Sequence, residues 1–367
     1  MSRRQGRYER RKAAREARKQ AFLAAYDRFE NVAARAALIK ASEMSAKGVK
    51  WKASVQKWLL NILNNTEQLH RDLMAGKDVR RGFTCFDVCE RGKVRHIRAL
   101  KFYERVAQKS LCTNVLLPVM TQGLIYDNGA SQKGKGTAFA LNRLIKHLTA
   151  HYRRFGKAGY VLLLDFKGFF ENIDHDVLKR IYRQKIKDEK LLTLIDSFVD
   201  AFGDKGLGLG SETSQIHAIA FPNRIDHWIK EVARIKGYGR YMDDSYLICE
   251  SREKLERILK ALKRYYARFG IIVNDKKTHI ADLAHGFQFL KTRFHFAENG
   301  RIVKKPVRSS IVRERRKIKK QANLVKKGIM TAEQVSRSLE SWAGSMKKRN
   351  ARRTVWNMRC LARSLGL

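Results

Sequence analysis

Two short apolar runs that break off at aspartate set the tightest limit on what this chain can fold into. Gly159-Tyr160-Val161-Leu162-Leu163-Leu164 has the length of a strand and stops at Asp165. A run this apolar reads as a strand buried on both faces. Further on, Arg240-Tyr241-Met242 and Tyr246-Leu247-Ile248-Cys249 flank Asp243-Asp244-Ser245. That is the pattern of a β-hairpin with two acids at its turn. A helix is expected to begin near Asp174, another to run from Glu253 to Phe269, and a further strand to cover Ile271 to Val273. Strand, helix, hairpin and helix in this order predict an α+β core built on a split βαβ sheet.

Acids at a turn are ordinarily caps or solvated loop residues. Here each acid ends an apolar strand, and burying both strand ends together would gather three carboxylates in one pocket. Such a cluster raises carboxylate pKa values and destabilises a fold unless cations neutralise it. Oxygen ligands suit Mg²⁺ or Mn²⁺. Two such ions about 3.5 to 4 Å apart can activate an attacking hydroxyl and stabilise departing pyrophosphate. The expected chemistry is therefore nucleotidyl transfer, with Asp165, Asp243 and Asp244 as catalytic residues and metal ligands.

The remaining sequence says what such an enzyme would hold. Lys and Arg number 78 against 35 Asp and Glu, a formal net charge of +43. Nucleic acid, an anionic membrane surface and a basic surface without a single partner all fit that excess, and nucleic acid fits best. No apolar run approaches the ~20 residues that span a bilayer. Met1 to Arg18 is Arg-rich and lacks an apolar signal segment, so a cytoplasmic location is expected. The five scattered cysteines, Cys85, Cys89, Cys112, Cys249 and Cys360, are expected as buried, reduced thiols. Three regions are expected: a basic helical extension over 1–80, made of two or three helices interrupted at Gly48, a core over 81–300, and a basic helical region over 301–367. The last carries 20 Lys and Arg against 3 Glu, and Thr331 with Gln334 predicts a capping box before the second of its three helices.

Tyr241-Met242-Asp243-Asp244 and Asp165-Phe166-Lys167-Gly168-Phe169-Phe170 resemble the catalytic motifs of prokaryotic reverse transcriptases. The likeness is greatest to diversity-generating retroelement and defence-associated enzymes. It implies a right-hand polymerase: fingers and palm over 81–300 and a helical thumb over 301–367, with Ser341-Trp342-Ala343-Gly344 in the thumb. It also implies metal ligation by Asp165, Phe166, Asp243 and Asp244, two Mg²⁺ ions with Mn²⁺ as a substitute, and proton donation to pyrophosphate by Lys277 in Asn274-Asp275-Lys276-Lys277-Thr278.

Nucleotide-binding residues follow from the same resemblance. Arg95 or Arg98 would grip the triphosphate, since a guanidinium binds phosphate oxygens bidentately. Phe170, with Phe169 as rival, would crowd a ribose 2′-hydroxyl. Leu209-Gly210-Ser211-Glu212-Thr213-Ser214-Gln215 resembles the second palm motif, with Leu209, Gly210, Ser214 and Gln215 around the nucleotide. An apolar Leu209 cannot donate a hydrogen bond there, which implies loosened base selection.

Lys133, Lys135, Tyr241, Met242, Phe289 and Leu290 would contact primer and template, although Lys291 stands where many relatives carry glycine. Gly129 to Thr137 nearly satisfies a Walker phosphate loop, but Gly136 replaces the hydroxyl residue after Lys135. The expected function is cDNA synthesis on an RNA template by an RNA-directed DNA polymerase of a retroelement or an antiviral defence system. The expected partners are a dedicated template or noncoding RNA, a primer, deoxynucleotides and an accessory protein. A template-independent or weakly templated nucleotidyltransferase of phage defence and a catalytically silent RNA-binding scaffold are the alternatives.

Overall fold

The computed structural model describes residues 3–90, 93–346 and 349–367. In chain order the helices and strands are α1 (Arg3–Tyr26), α2 (Glu30–Ala33), α3 (Arg35–Ala46), α4 (Ala53–Leu60), α5 (Ile62–Met74), β1 (Phe83–Glu90), β2 (Lys93–Leu100), α6 (Phe102–Leu111) and α7 (Leu117–Thr121). Then come α8 (Thr137–Phe155), β3 (Tyr160–Leu164), α9 (His175–Arg183), α10 (Glu189–Asp200), α11 (Glu212–Ala220), α12 (Asn223–His227), β4 (Gly237–Tyr241) and β5 (Asp244–Cys249). The chain ends with α13 (Arg252–Ala267), β6 (His279–Asp282), β7 (Phe287–Phe289), β8 (Thr292–Phe296), β9 (Ile302–Pro306), α14 (Arg308–Lys326), α15 (Ala332–Met346) and α16 (Arg352–Ser364).

These elements divide between two compact units. The first is formed by Met1–Lys135, Phe166–Trp228 and Ala261–Val273, and the second by Gly136–Asp165, Ile229–Lys260 and Asn274–Leu367. Among the described residues no helix is long and apolar enough to cross a membrane.

In the second unit the sheet order is β4-β5-β3-β6, with every neighbouring pair antiparallel. β3 and β4 are thus separated by β5, and β5 and β6 by β3, which is the split βαβ arrangement that the sequence predicts. Val161 and Leu163 join Leu144 and Leu148 of α8, Tyr246 and Ile248 of β5 and the phenylalanines of β7 and β8 in one core. Leu162 and Leu164, on the opposite face, are also buried, which explains the unbroken apolar run. Helices α14, α15 and α16 pack around Ile318, Leu339 and Met358. The expected capping box is present: Gln334 N donates to Thr331 Oγ1 at 3.3 Å and Thr331 N donates to Gln334 Oε1 at 3.0 Å.

The first unit holds α1 to α7 and the β1–β2 hairpin. α9 begins beside Asp174 as expected, and the Asp174 carboxylate caps it, accepting from Val177 N at 2.9 Å. Three expectations need correction. The described residues 3–80 form five helices, because besides the expected interruption around Gly48 the chain breaks at Asp27-Arg28-Phe29, at Ala34 and at Asn61. Asp27 is drawn out of helix to accept hydrogen bonds from Lys187 N and Asp188 N, at 2.7 and 3.1 Å.

Ile271 to Val273 is no strand and contributes one isolated bridge, Val273 to Phe166. The outer strand is β6 instead, a short, partly exposed segment that carries little apolar signal. Finally, Cys85, Cys89 and Cys360 are exposed, and only Cys112 and Cys249 are buried. Cys85 and Cys89 lie on β1, which among the described residues pairs with β2 alone.

Gly159 lets β3 start where side chains leave no room. Its φ is +131°, and a Cβ there would lie 2.4 Å from His151 Nε2 and 3.0 Å from the Cys249 carbonyl oxygen. His151 is fixed by its own contact with the Ala158 carbonyl at 2.7 Å. Gly159→Ala is expected to destabilise the protein by about 2 kcal/mol in urea unfolding. An unchanged midpoint would show that His151 yields freely.

Candidate active site

The register of β3 against β5 assembles the acids. Leu164 pairs with Ser245, so one step further along the two strands Asp165 comes opposite Asp244. Asp165 is fixed at both its backbone and its carboxylate. Its N–H donates to Thr278 Oγ1 at 3.3 Å and its carbonyl accepts from Asn274 N at 2.9 Å. The carboxylate accepts from Asn274 Nδ2 at 2.8 Å and from Lys277 Nζ at 2.9 and 3.1 Å. Lys277 was expected near the reacting phosphates. Asn274 was not singled out, although its place three residues before Lys277 puts both on one turn.

β4 and β5 are joined by the two-residue loop Met242-Asp243, flanked by the Tyr241–Asp244 pair. Met242 has φ 55°, the left-handed conformation that tight hairpin loops require. Arg240 is buried and its Nη1 donates to the Met242 carbonyl at 3.1 Å, bracing the loop from beneath. A buried arginine beside the acids has no sequence signal, since arginine in a strand ordinarily reads as exposed. Tyr241 accepts a 3.3 Å hydrogen bond from Thr137 Oγ1.

The cluster carries more negative charge than its surroundings neutralise. Burial, then Asp243, then Asp165 push the Asp244 carboxyl up to about 7, with Lys277 and Lys291 opposing. The hydrogen bond to Asp165 is the main reason that the Lys277 ammonium is held above its usual range. Among the described residues no three acid, imidazole or thiol side chains converge as a ready-made ion cage. The donors present are all oxygen and so fit a hard divalent ion, but Lys277 occupies both Asp165 oxygens. An ion bound there would displace Lys277 Nζ and relieve Asp244.

Lys291 owes its place to a second tight loop. Leu290 and Lys291, with φ 45° and 60°, connect β7 to β8 without glycine. Two left-handed residues of this kind cost of order 1–3 kcal/mol each. The Phe289 ring lies in the core, 5.0 Å from Tyr246, leaving Leu290 and Lys291 as the residues of the loop.

The other expected site residues belong to the first unit. Phe166 is buried and Phe169 packs on it with centroids 5.2 Å apart, while Phe170 is half-buried. This separates the two rival rings, Phe169 in the core and Phe170 toward the surface. Ser211 caps α11 and donates to Gln108 Oε1 at 2.9 Å. Gly210, φ +113°, lies where a Cβ would approach the Arg98 carbonyl at 3.2 Å, and Arg98 N donates to the Leu209 carbonyl at 3.3 Å. Among the described residues Ser214 Oγ is buried and has no hydrogen-bond partner.

Arg95 and Arg98 are three residues apart on β2 and therefore on opposite faces. Ser131 donates to Gln215 Oε1 at 3.3 Å, linking the loop of Lys133 to α11. Lys133 is exposed, whereas Lys135 Nζ donates to the Tyr126 and Asn128 carbonyls at 3.0 Å and so closes its own loop.

Comparison with known proteins adds a family. Residues 87–294 match the family described as reverse transcriptase (RNA-dependent DNA polymerase). No curated protein matches the chain. Among solved structures, apo telomerase from Candida tropicalis truncated from its C-terminal domain is similar at 13% identity and a TM-score of 0.48, over 61% of this chain and 55% of that one. Telomerase from Candida albicans in complex with a fragment of telomeric RNA is similar at 13% identity and 0.48, over 68% and 50%. The chain spans about half the length of these structures.

Asp244 makes stability pH-dependent in a defined direction. Below pH 4 it is protonated in both folded and unfolded chains; from about 4 to about 7 only the unfolded chain releases the proton. Its contribution to stability is therefore lost as pH rises to about 7. In EDTA, wild type should lose roughly 4 kcal/mol relative to Asp244→Asn across this range. Millimolar Mg²⁺ should shrink that difference by favouring the ionised carboxylate. Superimposed profiles of the two proteins in EDTA would disprove the assignment.

Proposed function

Because the chain belongs to the reverse transcriptase (RNA-dependent DNA polymerase) family, we propose that it extends a primer on an RNA template with deoxynucleoside triphosphates, by nucleotidyl transfer assisted by two divalent ions. The observation that carries this reading is the β3–β5 register, which sets Asp165 opposite Asp244 with Asp243 in the adjoining hairpin loop. Its right-hand polymerase fold has an α+β palm built on that sheet.

Asp165, Asp243 and Asp244, with the Phe166 carbonyl, would hold the ions. When bound, these supply charge neutralisation at the attacking 3′-hydroxyl and at the departing pyrophosphate. The chain's own part is to hold the carboxylates. Asn274 and Thr278 fix Asp165, and Arg240 braces the hairpin loop. Lys277 sits where release from Asp165 would free its ammonium to give a proton to pyrophosphate. Arg95 or Arg98 grips the triphosphate, and Leu209, Gly210, Ser214 and Gln215 surround the base and sugar. Lys133, Lys135, Tyr241, Met242 and Leu290 contact primer and template, with Phe289 packing beneath. Phe170, half-buried beside the buried Phe169, excludes the ribose 2′-hydroxyl.

Leu209 and the Ser214-Gln215 pair support a place in the prokaryotic group that includes diversity-generating and defence-associated enzymes. There the RNA would be a dedicated template or noncoding RNA, an accessory protein would assist, and the chain would be cytoplasmic.

Two outcomes are expected with a primed RNA template, deoxynucleotides and Mg²⁺. Asp243→Asn and Asp244→Asn should each lower synthesis on the order of a thousandfold, about 4 kcal/mol of barrier, without unfolding the protein. Wild type that makes no metal-dependent product on any primed template would refute the polymerase reading. Phe170→Ala should reduce discrimination against ribonucleotides by roughly tenfold or more. Unchanged discrimination would remove Phe170 from that role.

A further inference from the structure

Helix α1 of the first unit is exposed along most of its length and strongly basic. In α1, Arg7, Arg10, Arg11, Lys12, Arg15, Arg18 and Lys19 are all exposed. At about 100° per residue they fall on one arc of about 200°, spread over about 18 Å of helix axis. Glu9, Glu16, Ala13 and Gln20 lie on the remaining face. Among the described residues Arg7, Arg11, Lys12, Arg15 and Arg18 have no carboxylate partner, and the helix contains a single ion pair, Lys19–Glu16.

The helix is anchored at its C-terminal end. Leu23 and, just past the helix, Phe29 are buried. Asp27 accepts from Lys187 N and Asp188 N, and Asp188 accepts in return from Phe29 N at 2.8 Å. A firm base thus carries a long basic rod whose cations do nothing for its packing.

At the anchored end the charge continues into the body of the unit. Arg180, Lys185, Arg224, His227 and Arg268 line a pocket of about 760 Å³ with no acid in its wall. Lys185 Nζ is pinned by the Val119 and Gln122 carbonyls at 3.1 and 2.9 Å. Burial and the nearby Lys19 together lower its pKa to about 8. Like charges gathered this way repel one another unless a polyanion lies across them.

We propose that the basic face of α1, continued by the Lys185 pocket, is a docking surface for the phosphate backbone of structured RNA, outside the residues that carry the chemistry. RNA is chosen because, on the function proposed above, it is the polyanion bound before synthesis starts; the inference rests on that reading for this choice. An anionic membrane fits poorly, since the face opposite the cations is alanine, glutamate and glutamine rather than a row of large apolar residues.

The test is a variant with Arg7, Arg11, Lys12, Arg15 and Arg18 each changed to Gln, which keeps helix propensity and touches no buried residue. Affinity for a stem-loop RNA would be measured against salt concentration on the full chain, beside a DNA duplex of the same sequence and vesicles containing anionic lipid. The expected result is RNA binding at least tenfold weaker at 0.15 M salt, with a log–log salt slope shallower by about 3. Thermal unfolding and extension of a short primed template should be unchanged. An unaltered RNA slope, or a loss confined to DNA or to vesicles, would overturn the proposal. Wild type that binds the stem-loop through α1 yet makes no cDNA would refute the polymerase reading alone, because the binding measurement does not use catalysis.

Discussion

The pairing of β3 with β5 is the constraint on which the rest of the site depends. A register slip of one residue would turn every β3 side chain to the other face, exchanging Val161 and Leu163 for Leu162 and Leu164 in the core against α8. It would also carry Asp165 away from Asp244. Both faces of β3 are buried, so either slip costs core packing, and the acids are brought together by hydrophobic pattern rather than by any attraction between them. Their mutual repulsion is a load that the strand pairing carries.

That load is met locally by three devices around the same few residues. Lys277 and Asn274 take the Asp165 carboxylate. Arg240, buried under the hairpin, satisfies the Met242 carbonyl in a left-handed loop. The Leu290-Lys291 loop, left-handed at both positions without glycine, keeps a cation close enough to influence Asp244. Strain of this kind persists only where surrounding packing over-determines it, and here Phe287, Phe289 and Phe294 supply that packing. Glycine at Lys291 would relax the loop and remove the charge at once, so the local backbone cost and the electrostatic gain are tied to one side chain.

What was legible in the sequence was whatever rests on short-range pattern. The β3 run, the two-acid hairpin, the helix start near Asp174 and the Thr331–Gln334 box each declare themselves within a few residues, and each lies where expected. What failed was decided at long range. Asp27 leaves helix because amides 160 residues away recruit it. β6, with the sequence His-Ile-Ala-Asp, reads as loop until β3 gives it a partner, while the more apolar Ile271 to Val273 gains only a bridge. Cys85 and Cys89 are exposed because the hairpin that carries them is two-stranded. In the site itself the aspartates were readable, but the Lys277 contact that occupies Asp165 was not, since it depends on a turn closing over the end of a strand.

Charge separates the two tasks this chain combines. By count alone, a formal +43 is enough to neutralise three aspartates many times over. Yet Asp244 is pushed up to about 7, and the cations that oppose this are Lys277 and Lys291. The explanation is screening: an exposed cation beyond about 8 Å is largely lost to salt at physiological strength, so surface charge outside that range does not reach a buried carboxyl. The surface excess and the acid cluster are therefore independent. The first acts on a polyanion arriving from solution; the second waits on ions small enough to sit within the site. A change to α1 should alter what the protein holds and how salt affects it, while a change to Lys291 or Lys277 should alter how the acids titrate, and neither should substitute for the other.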